Sequence, residues 1–313
     1  MSNKELNTHT KEFKELEKKI NIMLIVEVIN GNINGTPDAN GMPRTESESG
    51  KGYYTDVSTK RKIRDTTEIL YPNQDDMGIF IHRGAVLDGA QKEAMKNVPR
   101  PEVAKGEDSY EAMAKYTRDI KKWMCDNFYD VRAFGAVCQH LTKSTSKGGA
   151  GIDGAITGPV QFNFGESVDP VNIERVAITR CAIANEEEKS KDKTNTIGVK
   201  YVVPYGLYIQ HCSVSPHLAK QTGFSKEDLK KLLNAMTKMY DLDKAAARGE
   251  VRLRKLIMFE HDSKWGSAPE NKCYDSVEIK KKAGVNTPTC FDDYEINFKE
   301  VPENVTRTVI YDN

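Results

Sequence analysis

Lys60, Arg61 and Arg64 place three cations in a short stretch, STKRKIRDTTEIL, of helical composition. On a helix Lys60 and Arg64 are i, i+4 neighbours with Arg61 beside them, so each pair repels by about a few tenths of a kcal/mol unless anions compensate. A polyphosphate backbone supplies that compensation; so does solvent, with the face salted by Asp65 and Glu68. A second group is neutral. Asn30, Asn32 and Asn34 alternate with Gly31, Ile33 and Gly35, which brings amides and bare backbone close to a ligand without adding charge. The loop they open is too long for a simple turn, which favours a functional role.

Other chemistries are excluded by context. GxGxxG occurs at Gly149 to Gly154, but a polar loop precedes it and a strand-like run follows, whereas a dinucleotide site needs a strand before and a helix after. None of the six histidines lies in a metal-binding spacing, and Glu260, His261, Asp262 and Ser263 are adjacent, so a strand splays them to opposite faces. The six cysteines lie far apart without CxxC spacing, which argues for reduced, mostly buried thiols rather than zinc, redox chemistry or disulfides. We therefore expect no catalytic residue, no metal and no cofactor. Forty-six basic residues balance 46 acidic ones, so nucleic-acid binding must rest on where the charges sit. No run of about 18 apolar residues occurs and the N-terminus is charged, so neither a membrane span nor a secretory signal is expected and the chain is placed in the cytoplasm.

The elements that must position these residues follow from periodicity. Residues 21 to 30, NIMLIVEVIN, read as a buried central strand, and 31 to 52 as loop. A helix runs from 55 to 70, capped by Thr55, with Ile63, Thr66 and Leu70 facing the core opposite the cations. Residues 77 to 82 suggest a short strand and 107 to 126 a helix; 142 to 155 is a second glycine-rich loop. AITGPVQFNFG is strand-like, with Pro159 at a bend. Residues 171 to 183 and 196 to 203 form a hairpin around the charged NEEEKSKDKTN, and 205 to 214 a further strand. Ser225 with Asp228, and Phe224 with Leu229, mark a capped and stapled helix from 225 to 240. A strand follows at 251 to 262, with weaker candidates in DSVEIK and YEINFKEV, while the first twenty residues suggest a surface helix. The strongest elements give the order βαββαβ, an α+β chain on the ferredoxin-like or RNA-recognition-motif plan with two insertions.

Eight collinear segments carry a specific resemblance: GNINGTPDANGMPR, GYYTDVSTKRKIRD, DVRAFGAV, ITGPVQFNFGESVDPV, TIGVKYVVPYGLY, TGFSKEDL, AAARGE and FEHDSKWGSAP. Together they resemble the CRISPR-associated Cas7 family, specifically the backbone subunit of type I-C Cascade, from about residue 21 to about 300. The resemblance implies a modified RNA-recognition-motif palm, a fingers insertion and a β-hairpin thumb. The domains become an N-terminal extension at 1–20, palm at 21–70, fingers at 71–155, a palm strand at 156–167, thumb at 168–204, and the rest of the palm with a C-terminal tail at 205–313. It implies a non-enzyme that polymerises head to tail with other copies of itself along CRISPR RNA, joins other Cascade subunits and presents the guide to a target DNA strand. Lys60, Arg61 and Arg64 become guide-phosphate contacts, adjoined by Asn30, Asn32, Asn34 and Arg44. Arg132, Phe134 and Gln161 become either guide contacts or scaffolding. Arg180 and Lys200 fall on the thumb, and Lys143 and Lys147 face the target strand. Ile33 and Thr36 depart from the proline and aspartate usual at their positions. Two alternatives stay open: a solitary single-stranded RNA binder, and an RNA-cleaving subunit of type III kind with Asp38 as its loop aspartate.

Overall fold

The computed structural model describes residues 14–101, 109–138, 154–180 and 196–313. In chain order these form β1 (Ile20–Gly31), β2 (Arg44–Thr45), β3 (Lys51–Tyr54), α1 (Asp56–Leu70), α2 (Leu87–Asn97), α3 (Ser109–Asn127), α4 (Tyr129–Phe134), β4 (Gly135–Val137), β5 (Ala155–Thr157), β6 (Val160–Phe162), β7 (Gly165–Pro170), β8 (Glu174–Arg180), β9 (Thr196–Val214), α5 (Pro216–Thr222), α6 (Lys226–Leu242), β10 (Glu250–His261), α7 (Glu270–Tyr274), β11 (Val277–Lys281), β12 (Tyr294–Phe298) and β13 (Val305–Asp312). No helix among the described residues is long and apolar enough to cross a membrane.

The chain divides into two units. The larger comprises Lys18–Pro72, Val160–Ser215 and Leu233–Asn313. Its antiparallel sheet runs β13-β10-β1-β9-β7-β3-β2, with β6 and β8 also paired to β9. Every residue from Ile20 to Val28 is buried, as an apolar strand flanked on both edges by β10 and β9 demands. Glu27, 1% exposed, is tolerated there because Arg254 lies 3.0 Å away. On one face Met23, Ile25, Leu207, Ile257 and Phe259 pack with Cys273, Val277, Tyr294 and Val305. Above them β11 and β12, the two tail candidates, pair with each other rather than with the main sheet. α1 is tied to β9 by the Thr59 hydroxyl, which donates to Gln210 Oε1 at 2.9 Å. The sequential elements β1, α1, β6, β9, α6 and β10 thus stand in the expected order.

Several expectations are corrected. Residues 31 to 52 are not all loop, since β2 and the start of β3 build the sheet edge. The strand-like run around Pro159 is two strands with different partners: β5 pairs with β4, and β6 with β9. The two strands read at 196 to 203 and 205 to 214 are one, β9. Its first half pairs with β8 up to Val202 and its second with β1 from Val203, and Pro204, which has no amide to donate, follows just after that change of partner.

The smaller unit comprises Asn73–Pro159 and Pro216–Leu232 with the segment ending at Glu17. Phe80, Ala94, Val98, Tyr116, Ile120, Met124 and Val131 form its core. Residues 77 to 82 are not a strand: the amides of Phe80 and Ile81 donate to the Asp130 carboxylate at 2.7 and 3.1 Å, which replaces a strand partner. Ser225 caps α6 as expected. Its hydroxyl accepts from the Asp228 amide at 3.1 Å while its own amide donates to Asp228 Oδ2 at 2.9 Å. Residues 14 to 19 are not helical, and Glu15 instead bridges to Ser225.

Candidate nucleic-acid interface

The C-terminal end of β1 is shaped by backbone crowding. Asn30 adopts a φ of 46°, a conformation asparagine tolerates better than most residues. A Cβ on Gly31 would stand 2.0 Å from the Arg248 carbonyl oxygen, and one on Gly249 2.1 Å from that of Asn30. Only glycine at both places lets β1 meet the turn before β10. Beyond it, the Asn32 amide donates to the Gly41 carbonyl at 2.6 Å. Asn34 Oδ1 accepts from both the amide and the hydroxyl of Thr55 at 3.1 Å, while the Thr55 hydroxyl accepts from the Ser58 amide at 3.3 Å. Asn32 and Asn34 therefore hold the loop and seat the α1 N-terminus. Arg44 stands on β2 opposite Tyr53, and its Nε, like Asn32 Oδ1, is buried without a hydrogen-bond partner.

Two cations of α1, Arg61 and Lys62, converge on one carboxylate. Asp243, 10% exposed, receives Arg61 Nη2 at 2.8 Å, Lys62 Nζ at 3.3 Å and the Arg248 guanidinium. Arg61 also pairs with Asp65, and Lys60 with Asp56 at 3.0 Å. Lys200 reaches the same turn, donating to the Ala246 carbonyl at 3.0 Å. Burial, and then the charges of Arg61 and Arg248, pull the Lys62 ammonium down to about 7. Arg61, Lys62 and Arg248 thus gather at Asp243, with Asp65 as a second carboxylate on Arg61, a cluster of cationic side chains that an incoming anion can meet.

The basic face expected of α1 is thus corrected. Arg64 is 7% exposed and buried with Ile63 and Thr66, so it does not share a solvent face with Lys60 and Arg61. Lys62, Asp243 and Arg248 were not singled out from the sequence. Lys62 lies inside the KRKIR cluster and Arg248 inside AAARGE, but only the folded chain shows them meeting at Asp243.

Arg132 lies elsewhere, inside the smaller unit. Its guanidinium donates to Asp228 at 2.9 and 3.2 Å, to the Cys125 carbonyl at 2.6 Å and to the Asp76 carbonyl at 3.1 Å. Arg132 is 4% exposed and Phe134 7%, so both side chains are held inside this unit. Gln161 is exposed on β6 between the buried Val160 and Phe162, and Arg180 ends β8. Lys143, Lys147 and Gly149 to Asp153 of the glycine pattern lie outside the described residues. Asp38 is exposed on a 3-10 turn, Pro37–Ala39.

Comparison with known proteins adds three findings. The family model described as CRISPR-associated protein Cas7 matches residues 18–299. Among solved structures, a chain of a "CRISPR RNA-guided surveillance complex, pre-nicking" is similar at 16% identity and a TM-score of 0.46, over 77% of this chain and 78% of that one. A chain of a "CRISPR RNA-guided surveillance complex" is similar at 14% identity and a TM-score of 0.39, over 77% and 68%. No curated protein matches.

Proposed function

Since the chain belongs to the Cas7 family of CRISPR-associated proteins, we propose that it is the guide-binding backbone subunit of a type I-C surveillance complex. In this reading it coats CRISPR RNA, carries out no catalysis of its own and leaves sequence recognition to base pairing with the target DNA strand. Copies associate head to tail along the guide and meet the other subunits of the complex. Strands β10, β1, β9 and β6 with helices α1 and α6 serve as the palm of RNA-recognition-motif type, and β8 with the first half of β9 as the thumb.

The observation that carries the reading is the corner around Asp243. Guide phosphates entering there meet Arg61 at 41% side-chain exposure, with Arg248 on the adjoining turn and Lys200 reaching that turn from β9. The phosphate charge offsets the repulsion that Arg61 and Arg248 impose on Lys62 and raises the affinity of that amine for a proton. Asn30 and the two glycine contacts keep the neighbouring backbone low, so that a nucleic-acid strand can pass close to the end of β1.

The test is to co-express the chain with a CRISPR array and its processing partners, purify at high salt and sequence the retained RNA. Uniform repeat-flanked guides in a large assembly are the expected result. Recovery of a monomer without RNA, or with random RNA, overturns the reading.

A further inference from the structure

We propose that Tyr53 and Phe164 form a stacking platform for an unpaired base of the guide RNA, a role that rests on the guide-binding reading above. The two rings are 5.9 Å apart and inclined by 8°, an offset stack. Phe164 is 53% exposed. The sheet holds the pair in place through alternation. Tyr54 points the other way and is 1% exposed, its ring lying where a Cβ on Gly165 would come within 2.2 Å of it. Gly165 therefore lets β3 and β7 approach, and Tyr53 and Phe164 are left together on the opposite face.

Two parallel rings at the surface keep apolar area in water, and a nucleobase is the flat partner that covers such a face. The flanking charges set the direction of the strand. Arg44 is the cross-strand neighbour of Tyr53 on one side and Glu166 on the other, so phosphates run on the Arg44 side and avoid Glu166. Continuity with the guide corner singles out the guide rather than the target strand. Tyr53 lies two residues before Thr55, which Asn34 fastens to the loop leading from β1.

The experiment uses the full chain and single-stranded guide RNAs, each carrying one 2-aminopurine, whose fluorescence falls on stacking. With the wild-type chain, quenching is expected at particular guide positions. Phe164→Ala should remove it and weaken binding roughly tenfold, Phe164→Tyr should restore both, and the salt slope should not change because no cation is lost. Tyr53→Leu serves as a second variant, expected to lose the same quenching. If both variants bind and quench as the wild type does, the platform is wrong while guide binding stands. Quenching that follows a labelled target strand instead also overturns it. A wild-type chain that binds no RNA overturns the guide-binding reading, and the platform with it.

Discussion

Arg132 and Arg61 carry the same guanidinium into opposite settings. Arg132 and Asp228 are 5% and 3% exposed as side chains, so removing one partner leaves a buried charge without compensation, at a cost of about 3 to 5 kcal/mol. Arg132→Met keeps most of the volume and should lower the urea midpoint accordingly, while the chain that remains folded binds RNA with an unchanged salt slope. A normal urea midpoint with weakened RNA binding would instead make Arg132 a guide contact. Which arginine does which task was not legible from the sequence, because Asp228 is 96 residues away and Asp243 is 182 residues from Arg61. Side-chain chemistry is written locally, whereas burial is decided by what the rest of the chain brings. The Asn30 to Asn34 pattern was legible as a special loop from its composition, but its contacts were not, since Asn34 holds Thr55 and Gly31 meets the Arg248 carbonyl far along the chain.

The same division appears among the elements. β1, α1, α6 and β10 could be read directly, since a continuous apolar run, Thr55 and the Ser225–Asp228 pair are signals within one stretch of chain. β7 and β13 could not, because GESVDP and VTRTVIYD lack a clean alternation and are defined by their neighbours β3, β9 and β10. Helix α1 shows the limit of a helical wheel. Buried Thr59, Lys62, Ile63, Arg64, Thr66 and Thr67 span a wider arc than one apolar stripe, and Arg64 falls inside it. The cations left to meet phosphate on this helix are Lys60 and Arg61. Replacing both by alanine should weaken guide binding and reduce the magnitude of the logarithmic salt slope by about 1.4, roughly 0.7 for each contact to a single strand. Affinity measured between low and moderate salt checks this, and an unchanged slope would return the exposed part of α1 to the role of a solvated face.

At the scale of the whole molecule, the β8–β9 ribbon decides between a solitary RNA binder and an assembling one. The hairpin was legible from two apolar stretches around a charged connection, and β8 pairs with β9 from Glu174↔Val202 to Arg180↔Thr196. Both faces of this ribbon carry apolar side chains in water: Val176 and Ile178 are each 41% exposed and Val199 37%. Ile178 lies over Gly198, where a Cβ would come within 3.2 Å of its Cγ1. A two-stranded ribbon is marginally stable by itself, and an apolar surface that the described residues leave uncovered fits a contact with a neighbour. In a head-to-tail array the ribbon of one copy lies against a different surface of the next, a contact that propagates instead of closing. Changing Val176, Ile178 and Val199 together to threonine keeps β-branched side chains on the strands, so stability should shift by no more than about 0.5 kcal/mol per site. The RNA-containing assembly should nonetheless shrink, in light scattering after size exclusion, towards single chains on guide RNA. An assembly of unchanged mass would remove the ribbon from the contact between copies and leave the propagating surface to be sought elsewhere on the chain.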